Sequence, residues 1–211
     1  MEILSHPLYL APVALYVKLY SATGLVIDGD SPFVKQTYRN RTLIASENGT
    51  LSLNIPVAHD GGRTAMRNVR ISEHGNWRRQ HWNALVSAYR NSPFFDYYAD
   101  DFAHFYEERD GFLIDFNLRL HNTVCELIGL ERDIRVVTAK EIEELTATTA
   151  LCDLRRIAEP KELAASTEPQ QPYYQVFSQR HGFIPNLSIA DLLFNMGPEG
   201  LITLRTSSSI E

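Results

Sequence analysis

The amino-acid sequence predicts an α/β protein with a mixed, partly parallel sheet flanked by helices. The opening segment, residues 2–28, places a helical pattern between two short apolar runs. Short apolar runs and helical patterns then continue to alternate, as in proteins whose helices cover a sheet. An alternating pattern after residue 41 predicts an antiparallel hairpin in addition. A Rossmann-like nucleotide-binding architecture is compatible with this order of elements.

The opening segment has the pattern of a βαβ unit. Residues 2–5 predict a first strand, which His6 and Pro7 end. From Pro12 onward, apolar residues recur at helical spacing, and proline is well tolerated in a first helical turn. Residues 25–28 predict a buried second strand. Because parallel strands need a crossover connection, we expect the two strands to pair in parallel.

The most concentrated cationic segment of the chain, VKQTYRNR, spans residues 34–41 and precedes the hairpin. If it is extended, Arg39 and Arg41 project from one face, where two guanidinium groups suit a phosphate or a carboxylate. The alternative is a solvated surface whose cations pair with acidic side chains. The candidate substrate-binding residues here are Lys35, Gln36, Tyr38, Arg39, Asn40 and Arg41.

The central part of the chain predicts several helices, and residues 76–130 could form a helical subdomain. Asn76 is the expected N-cap of a helix over residues 76–90. The aromatic and acidic residues 94–107 predict one or two short helices, and residues 112–128 predict the longest helix. A strand near 135–138 and a helix over 139–146 follow.

The C-terminal part begins with residues 153–172, which are rich in proline and small polar residues and predict an extended connection. Ser188 and Asp191 then have the spacing of a capping box, and we expect a helix over 187–196. Free N–H groups at its start could bind an anion, although helix caps are usually structural. The candidate binding residues here are Gln175, Asn186, Ser188 and Asp191.

The composition is that of one globular domain over residues 1–211, with 44% hydrophobic and 22% charged residues. The net charge of −6 argues against a nucleic-acid partner, because phosphate binding needs clustered cations. Cys125 and Cys152 belong to no C-x-x-C pair and are expected to be free and reduced. Without a signal peptide or an apolar window of about 18 residues, we expect no membrane insertion and a cytoplasmic location.

Two histidines are candidates for acid–base catalysis. His6 would lie at the carboxyl end of a parallel strand, where open α/β sheets bind ligands. His81 shares an aromatic helix face with Trp77 and Tyr89, which could stack on a sugar or a base. Histidine titrates near neutral pH, but a structural role is the alternative for both.

Metal and cofactor motifs are missing from the sequence. Neither H-E-x-x-H nor C-x-x-C occurs, and we expect no metal site. The sequence also has no P-loop, no G-x-G-x-x-G and no G-x-S-x-G. We therefore expect no bound cofactor, and a nucleotide only as part of a donor substrate. The pair Asn117 and His121 shares a helix face but is too weak a pattern to indicate ligands.

Several stretches together resemble the WbqC-like family. They are SHPLYLAPVALYVKLYSA, VKQTYRNRTLI with NGTLSLNIPV, NWRRQHWNALVSAYRNSPFFDYY, DFNLRLHNTVCELIGL and YYQVFSQRHGFIPNLSIADLLFNMGPE. The resemblance implies a bacterial protein connected with O-antigen or other surface polysaccharides, and a transferase that adds an amino acid to an amino sugar. Many relatives carry Q-P-Y-x-x-P in the first loop, where this chain has His6 in place of the glutamine.

The resulting expectation is a group-transfer enzyme acting on an anionic activated small molecule, such as a nucleotide-linked amino sugar or an acyl or aminoacyl donor. The cations of residues 34–41 would hold the anion, and His6 or His81 would act as general base. The alternative is a non-catalytic partner protein that docks through residues 94–107. The oligomeric state is left open.

Overall fold

The structure is a computed structural model that describes residues 1–58, 62–109, 111–166 and 170–209. The strands are β1 (Glu2–Ser5), β2 (Gly24–Asp28), β3 (Arg41–Ser46), β4 (Gly49–Asn54), β5 (Asp133–Val137) and β6 (Leu151–Asp153). The helices are α1 (Val13–Ser21), α2 (Trp77–Tyr89), α3 (Phe95–Glu107), α4 (Leu113–Ile128), α5 (Ala139–Thr148), α6 (Pro160–Ala165), α7 (Ser178–His181), α8 (Ile189–Met196) and α9 (Gly200–Ser208). Short 3₁₀ turns span Met66–Asn68, Arg155–Ala158 and Gly197–Glu199.

Within these ranges, four strands form a parallel sheet in the order β5-β2-β1-β6, and β3 and β4 form an antiparallel hairpin. The predicted α/β class with helices flanking the sheet is confirmed, but the parallel and antiparallel strands form two separate sheets instead of one mixed sheet. β2 is buried along its whole length because helices cover a parallel sheet on both faces. The predicted βαβ opening is also confirmed, since β1 and β2 pair in parallel through α1.

The strand order reverses at β1. The chain adds β2 and then β5 on one side of β1, and β6 returns to pair with the other side. The carboxyl ends of β1, β2 and β6 therefore meet at one edge of the sheet. In open α/β sheets, ligands bind outside the carboxyl ends of strands where the order reverses. We call the residues there, His6, Asp28–Ser31 and Asp153–Arg155, the carboxyl edge.

The helices of residues 76–130 pack into the same hydrophobic core as the parallel sheet. Their buried apolar side chains belong to the same hydrophobic cluster as Ile3 of β1 and Leu204 of α9. Phe194 of α8 lies 5.1 Å from Phe95 and 4.9 Å from Phe102, measured between ring centroids. The aromatic tract 94–107 forms one helix, α3, whose Phe95 and Tyr98 are buried.

Two local expectations were wrong, and a third was right only in position. Residues 35–40 are a series of turns with Gln36 at a positive φ of 62°, and Arg41 begins β3, so Arg39 and Arg41 do not share the face of a strand. Asn76 is the N-cap residue of α2 as predicted, but at φ 51° its side chain makes no capping hydrogen bond. Residues 153–172 do not form an extended connection, because a 3₁₀ turn and α6 occupy much of this range; residues 167–169 lie outside the described residues.

The predicted antiparallel hairpin and the predicted end of the longest helix at residue 128 were confirmed. Gly129 ends α4 in the left-handed conformation, at φ 73°. The hairpin β3-β4 turns between Ser46 and Gly49. Cys125 and Cys152 are free. None of the helices in the described ranges is long and apolar enough to cross a membrane.

Candidate functional site

His6 leaves the end of β1 and is buried, with 7% of its surface exposed. Its Nδ1 lies 2.9 Å from the hydroxyl oxygen of Ser31. Burial and, after it, the positive charge of Arg39 lower the pKa of His6 to about 3. His6 is therefore a neutral imidazole at neutral pH. The hydrogen bonds among the described residues include none to its Nε2.

An ion-pair chain joins the ends of β2 and β6 across β1. Arg155 donates from Nη1 to Asp28 at 2.9 Å and from Nη2 to Asp153 at 2.7 Å. Its hydrogen bonds lower the pKa of Asp153, and the two carboxylates raise the pKa of Arg155. Asp28 also accepts from the backbone N–H of Ser31 at 2.9 Å, which shapes the turn after β2. The carboxyl edge is thus a rigid polar surface around His6.

Arg39 approaches this edge from the cationic segment. It is 4% exposed, and its Nη1 donates to Glu159 and to Thr37, both at 3.1 Å. Burial lowers the pKa of Arg39, and Glu159 opposes that shift. Its Nε is buried and has no partner among the described residues. A buried N–H donor without an acceptor is costly, so Arg39 has unused capacity for an anion.

Asn117 of α4 fixes the first loop against the cationic segment. Its Nδ2 donates to the carbonyl oxygens of Pro7 at 3.2 Å and Arg39 at 2.8 Å. Its Oδ1 has no partner in the described chain, and it borders a cavity of about 10 Å³ that His6 and His121 also line. That volume holds about one water molecule, so the cavity is too small for a substrate.

His121 forms a neutral pair with Cys125. Its Nε2 lies 3.4 Å from the Cys125 sulfur, and its Nδ1 lies 3.1 Å from the Tyr16 hydroxyl. Burial lowers the pKa of His121 to about 4 and raises the pKa of Cys125 to about 12. A thiolate nucleophile is not favoured here, and we assign both side chains a structural role.

The second candidate base, His81, lies inside an aromatic cluster. Its Nδ1 is 2.9 Å from the Tyr9 hydroxyl, and its ring stacks on that of Tyr9 at 5.7 Å. Trp77 packs edge-on against it at 5.1 Å, and burial lowers the pKa of His81 to about 4. Tyr89 is completely buried, and its hydroxyl accepts from the backbone N–H of Ala45 at 3.1 Å.

Asp191 belongs to a second buried group, which we call the Asp191 cluster: Asp191, Tyr173, Gln175 and Tyr89. The Oδ2 of Asp191 accepts from Tyr173 at 2.7 Å and from Gln175 at 3.0 Å. Burial raises the pKa of Asp191 to about 6, while the Tyr173 and Tyr89 hydroxyls oppose that shift. The prediction of a capping box was therefore correct only for Ser188. The Ser188 hydroxyl accepts from the Ala190 N–H and caps α8, whereas the Asp191 side chain belongs to this cluster.

The expected anion site at the start of α8 is contradicted, because its N–H groups already have partners. Ser188 donates to the carbonyl oxygen of Leu43 at 2.8 Å, and Ile189 donates to that of Ala11 at 2.9 Å. The N–H of Asn186 donates to Gln170 at 2.7 Å. These bonds tie α8 to the hairpin and the first loop instead.

The remaining residues of segment 34–41 lie in different environments and contribute nothing to one common site. Lys35 and Gln36 are exposed, and Arg41 donates to the Asn54 side chain at 2.8 Å. Asn40 donates to the carbonyl oxygen of Ile55 at 2.8 Å, and Tyr38 is buried. Only Arg39 of this segment enters the electrostatic environment of His6.

The candidate site is therefore the carboxyl edge with Arg39, and it unites two of the predicted residues, His6 and Arg39. Sequence reasoning missed the others, which are Asp28, Ser31, Asp153, Arg155 and Glu159. For Asp28 and Ser31 a signal existed, since they follow a predicted buried strand. Asp153 and Arg155 gave none, because β6 is only three residues long and both residues fell within the predicted connection 153–172. Among the described residues, no group of three or more His, Cys, Asp or Glu side chains could hold a metal ion.

These features define an α/β protein with a polar edge where the strand order of its parallel sheet reverses. The chain belongs to the WbqC-like protein family, whose model matches residues 7–203. It is similar to the Uncharacterized protein Rv1507c of Mycobacterium tuberculosis (strain ATCC 25618 / H37Rv), with 28% identity over 207 residues. The match covers 85% of this chain and 87% of the relative. No solved structure matches the chain.

Proposed function

We propose that the protein is a group-transfer enzyme that acts on an anionic, activated small molecule at the carboxyl edge. The donor would be a nucleotide-linked amino sugar or an acyl or aminoacyl donor. The observation that carries the proposal is His6, a neutral imidazole with an unpartnered Nε2 where the strand order reverses. A surface-polysaccharide pathway and a cytoplasmic location belong to the proposal as well.

Arg39 supports the anionic character of the substrate. It is the charged group with the largest effect on the pKa of His6, and its buried Nε has no acceptor in the described chain. An anion beside Arg39 would supply that acceptor and offset the positive charge near His6. The pKa of His6 would then rise from about 3, so His6 would become a stronger base when substrate binds.

In the transfer step, His6 Nε2 would take the proton of the attacking amine or hydroxyl. The attacking atom would form the new bond to the transferred group, and the leaving group would depart with the electron pair of the broken bond. Positioned proton transfer of this kind contributes about 10²- to 10⁴-fold to a rate. The alternative, docking through the aromatic tract, receives no support, because Phe95 and Tyr98 are buried and Tyr97 alone among its four leading rings is largely exposed.

A ligand screen tests the proposal directly. The wild-type protein is titrated with UDP-N-acetylglucosamine, ATP and inorganic pyrophosphate, and the melting temperature is measured. We expect at least one anion to stabilise it, and a ligand at 100 times its Kd adds about 2.7 kcal/mol. The His6 pKa, followed by NMR, should rise in the same titration. Failure of all three anions to change either quantity would contradict the proposal.

The variant His6→Gln tests the catalytic role once a donor is identified. We expect the transfer rate to fall at least about 100-fold with ligand affinity nearly unchanged, because glutamine is uncharged but cannot take up a proton. The matched control is His74→Gln, since His74 is exposed and distant in sequence from the edge. An unchanged rate in His6→Gln would remove His6 from the mechanism.

A further inference from the structure

We infer that Ser31 is a positioning residue that holds His6 in the tautomer with its proton on Nδ1, so that the lone pair of Nε2 is available to a ligand. The inference stands on hydrogen-bond geometry. Its catalytic meaning rests on the proposed function, in which Nε2 takes a proton. Ser31 had no role in the sequence-based expectations, and it follows β2 in the turn at the carboxyl edge.

The tautomer follows from the number of protons available. The Ser31 hydroxyl oxygen lies 3.2 Å from the Asp28 carbonyl oxygen and 2.9 Å from His6 Nδ1. A carbonyl oxygen can only accept, so both contacts are hydrogen bonds only when the single hydroxyl proton of Ser31 points at Asp28. The hydroxyl oxygen must then accept from His6, which places the ring proton on Nδ1. Because the ring is neutral, Nε2 carries a lone pair.

The position of Ser31 is itself fixed from two sides. Its N–H donates to Asp28 Oδ1 at 2.9 Å, and its carbonyl oxygen accepts from the N–H of Met66 at 2.9 Å. Asp28 is held in turn by Arg155 at 2.9 Å. The orientation of the His6 ring therefore depends on a continuous set of bonds that crosses from β6 to β2 and returns to β1.

The opposite assignment would make Ser31 a nucleophile. Its hydroxyl would then donate to Nδ1, and the proton of the ring would lie on Nε2. That arrangement leaves the Asp28 carbonyl oxygen without the bond from Ser31, whereas a proton on Nδ1 keeps both contacts of the Ser31 hydroxyl as hydrogen bonds. The observed distances therefore favour the positioning role, and the two roles predict opposite tautomers.

NMR of the protein labelled with ¹⁵N-histidine at pH 7 distinguishes the tautomers without any ligand. The His6 signals are assigned by their loss in His6→Gln. We expect Nδ1 to be protonated and Nε2 to be unprotonated in the wild type. In Ser31→Ala the preference should shift toward a proton on Nε2, as in free histidine, and Ser31→Thr should restore the wild-type pattern. Ser46→Ala is the control, since the Ser46 hydroxyl bonds within the hairpin.

Two outcomes overturn the inference: a proton on Nε2 in the wild type, or no change of tautomer in correctly folded Ser31→Ala. Once a transfer assay exists, Ser31→Ala should lower kcat about 10- to 100-fold and leave KM nearly unchanged, with rescue by Ser31→Thr. The expected tautomer in a protein that binds none of the three anions would contradict the proposed function alone. Anion binding together with the reverse tautomer would contradict the role of Ser31 alone.

Discussion

The carboxyl edge and the Asp191 cluster contain similar polar side chains in different environments. At the edge, His6 uses one ring nitrogen for Ser31 and keeps the other without a partner in the described chain. In the cluster, Asp191 is completely buried, its Oδ2 receives two donors, and its Oδ1 has no partner among the described residues. The edge lies where ligands bind in this type of sheet, whereas the cluster is enclosed by α8 and the residues packed on it. The type of side chain therefore does not identify a ligand site. A ligand site is identified by a polar atom that has no hydrogen-bond partner and lies where a ligand can reach it.

We expect the largest effect in the pH dependence of stability, to which His6 of the edge, Asp191 of the cluster and two further buried histidines contribute. Burial lowers the pKa of His6 to about 3 and those of His81 and His121 to about 4. Unfolding returns these rings to about 6.5, so the unfolded chain binds more protons below that pH. The three histidines therefore lower the stability as the pH falls from about 6.5 toward 4.

Asp191 has the opposite effect. Its pKa is raised to about 6 in the folded state, so its carboxyl binds a proton on folding between about pH 4 and 6, which favours the folded state as the pH falls. Near pH 5, three histidines take up protons on unfolding and one carboxyl releases one, a net uptake of about two. The free energy of unfolding should fall by about 4 kcal/mol from pH 7 to pH 5.

Urea unfolding at several pH values between 5 and 7 measures this dependence. The variant Asp191→Asn removes the opposing carboxyl, so the net uptake near pH 5 should rise to about three protons. A flat profile in the wild type would show that the histidines are not buried as neutral rings. An unchanged slope in Asp191→Asn would show that Asp191 is ionised throughout this range.

The second prediction compares the regions by substitution. Asp191→Ala should destabilise the protein by about 3 kcal/mol, because it leaves the Tyr173 hydroxyl and one N–H of the Gln175 amide buried without an acceptor, while the other N–H keeps its bond to Ile184. His6→Gln should cost about 1 kcal/mol or less, since its amide can replace the bond to Ser31. Urea midpoints at pH 7 measure both. Equal losses in the two variants would mean that the edge is as structural as the cluster.

The fold was more predictable from the sequence than the site. Apolar periodicity identified β1, α1 and β2, because burial on a sheet or helix face leaves a local pattern. The parallel pairing followed from the crossover between them. β6 was missed because a three-residue strand has no period, and its place beside β1 depends on contacts across about 150 residues of chain. Without β6, the reversal of strand order could not be located.

The site depends on contacts of that kind. His6 was a candidate because it follows a predicted strand, but nothing local distinguishes it from His81. Their difference lies in the distant residues that surround each ring, Ser31 in one case and Tyr9 in the other. In the same way, local spacing assigned Arg39 and Arg41 equal roles, and the turns of residues 35–40 separate them.

The pair Arg39 and Arg41 provides the last and smallest comparison. Arg39 is buried against Glu159, whose side chain is 39% exposed, so Arg39→Ala should cost about 2 kcal/mol. The guanidinium of Arg41 bonds an exposed amide, and Arg41→Ala should change the stability by less than about 0.5 kcal/mol. Urea unfolding at pH 7 measures these values, and melting shifts with pyrophosphate show whether either variant still binds an anion.

The variant Glu159→Gln keeps a hydrogen-bond acceptor for Arg39 and removes the ion pair. If Arg39 serves the site, Arg39→Ala loses anion binding and Glu159→Gln keeps it, because the Nε donor is still present. If both variants lose only stability and bind the anion as the wild type does, Arg39 is a structural partner of Glu159 and the anion lies elsewhere.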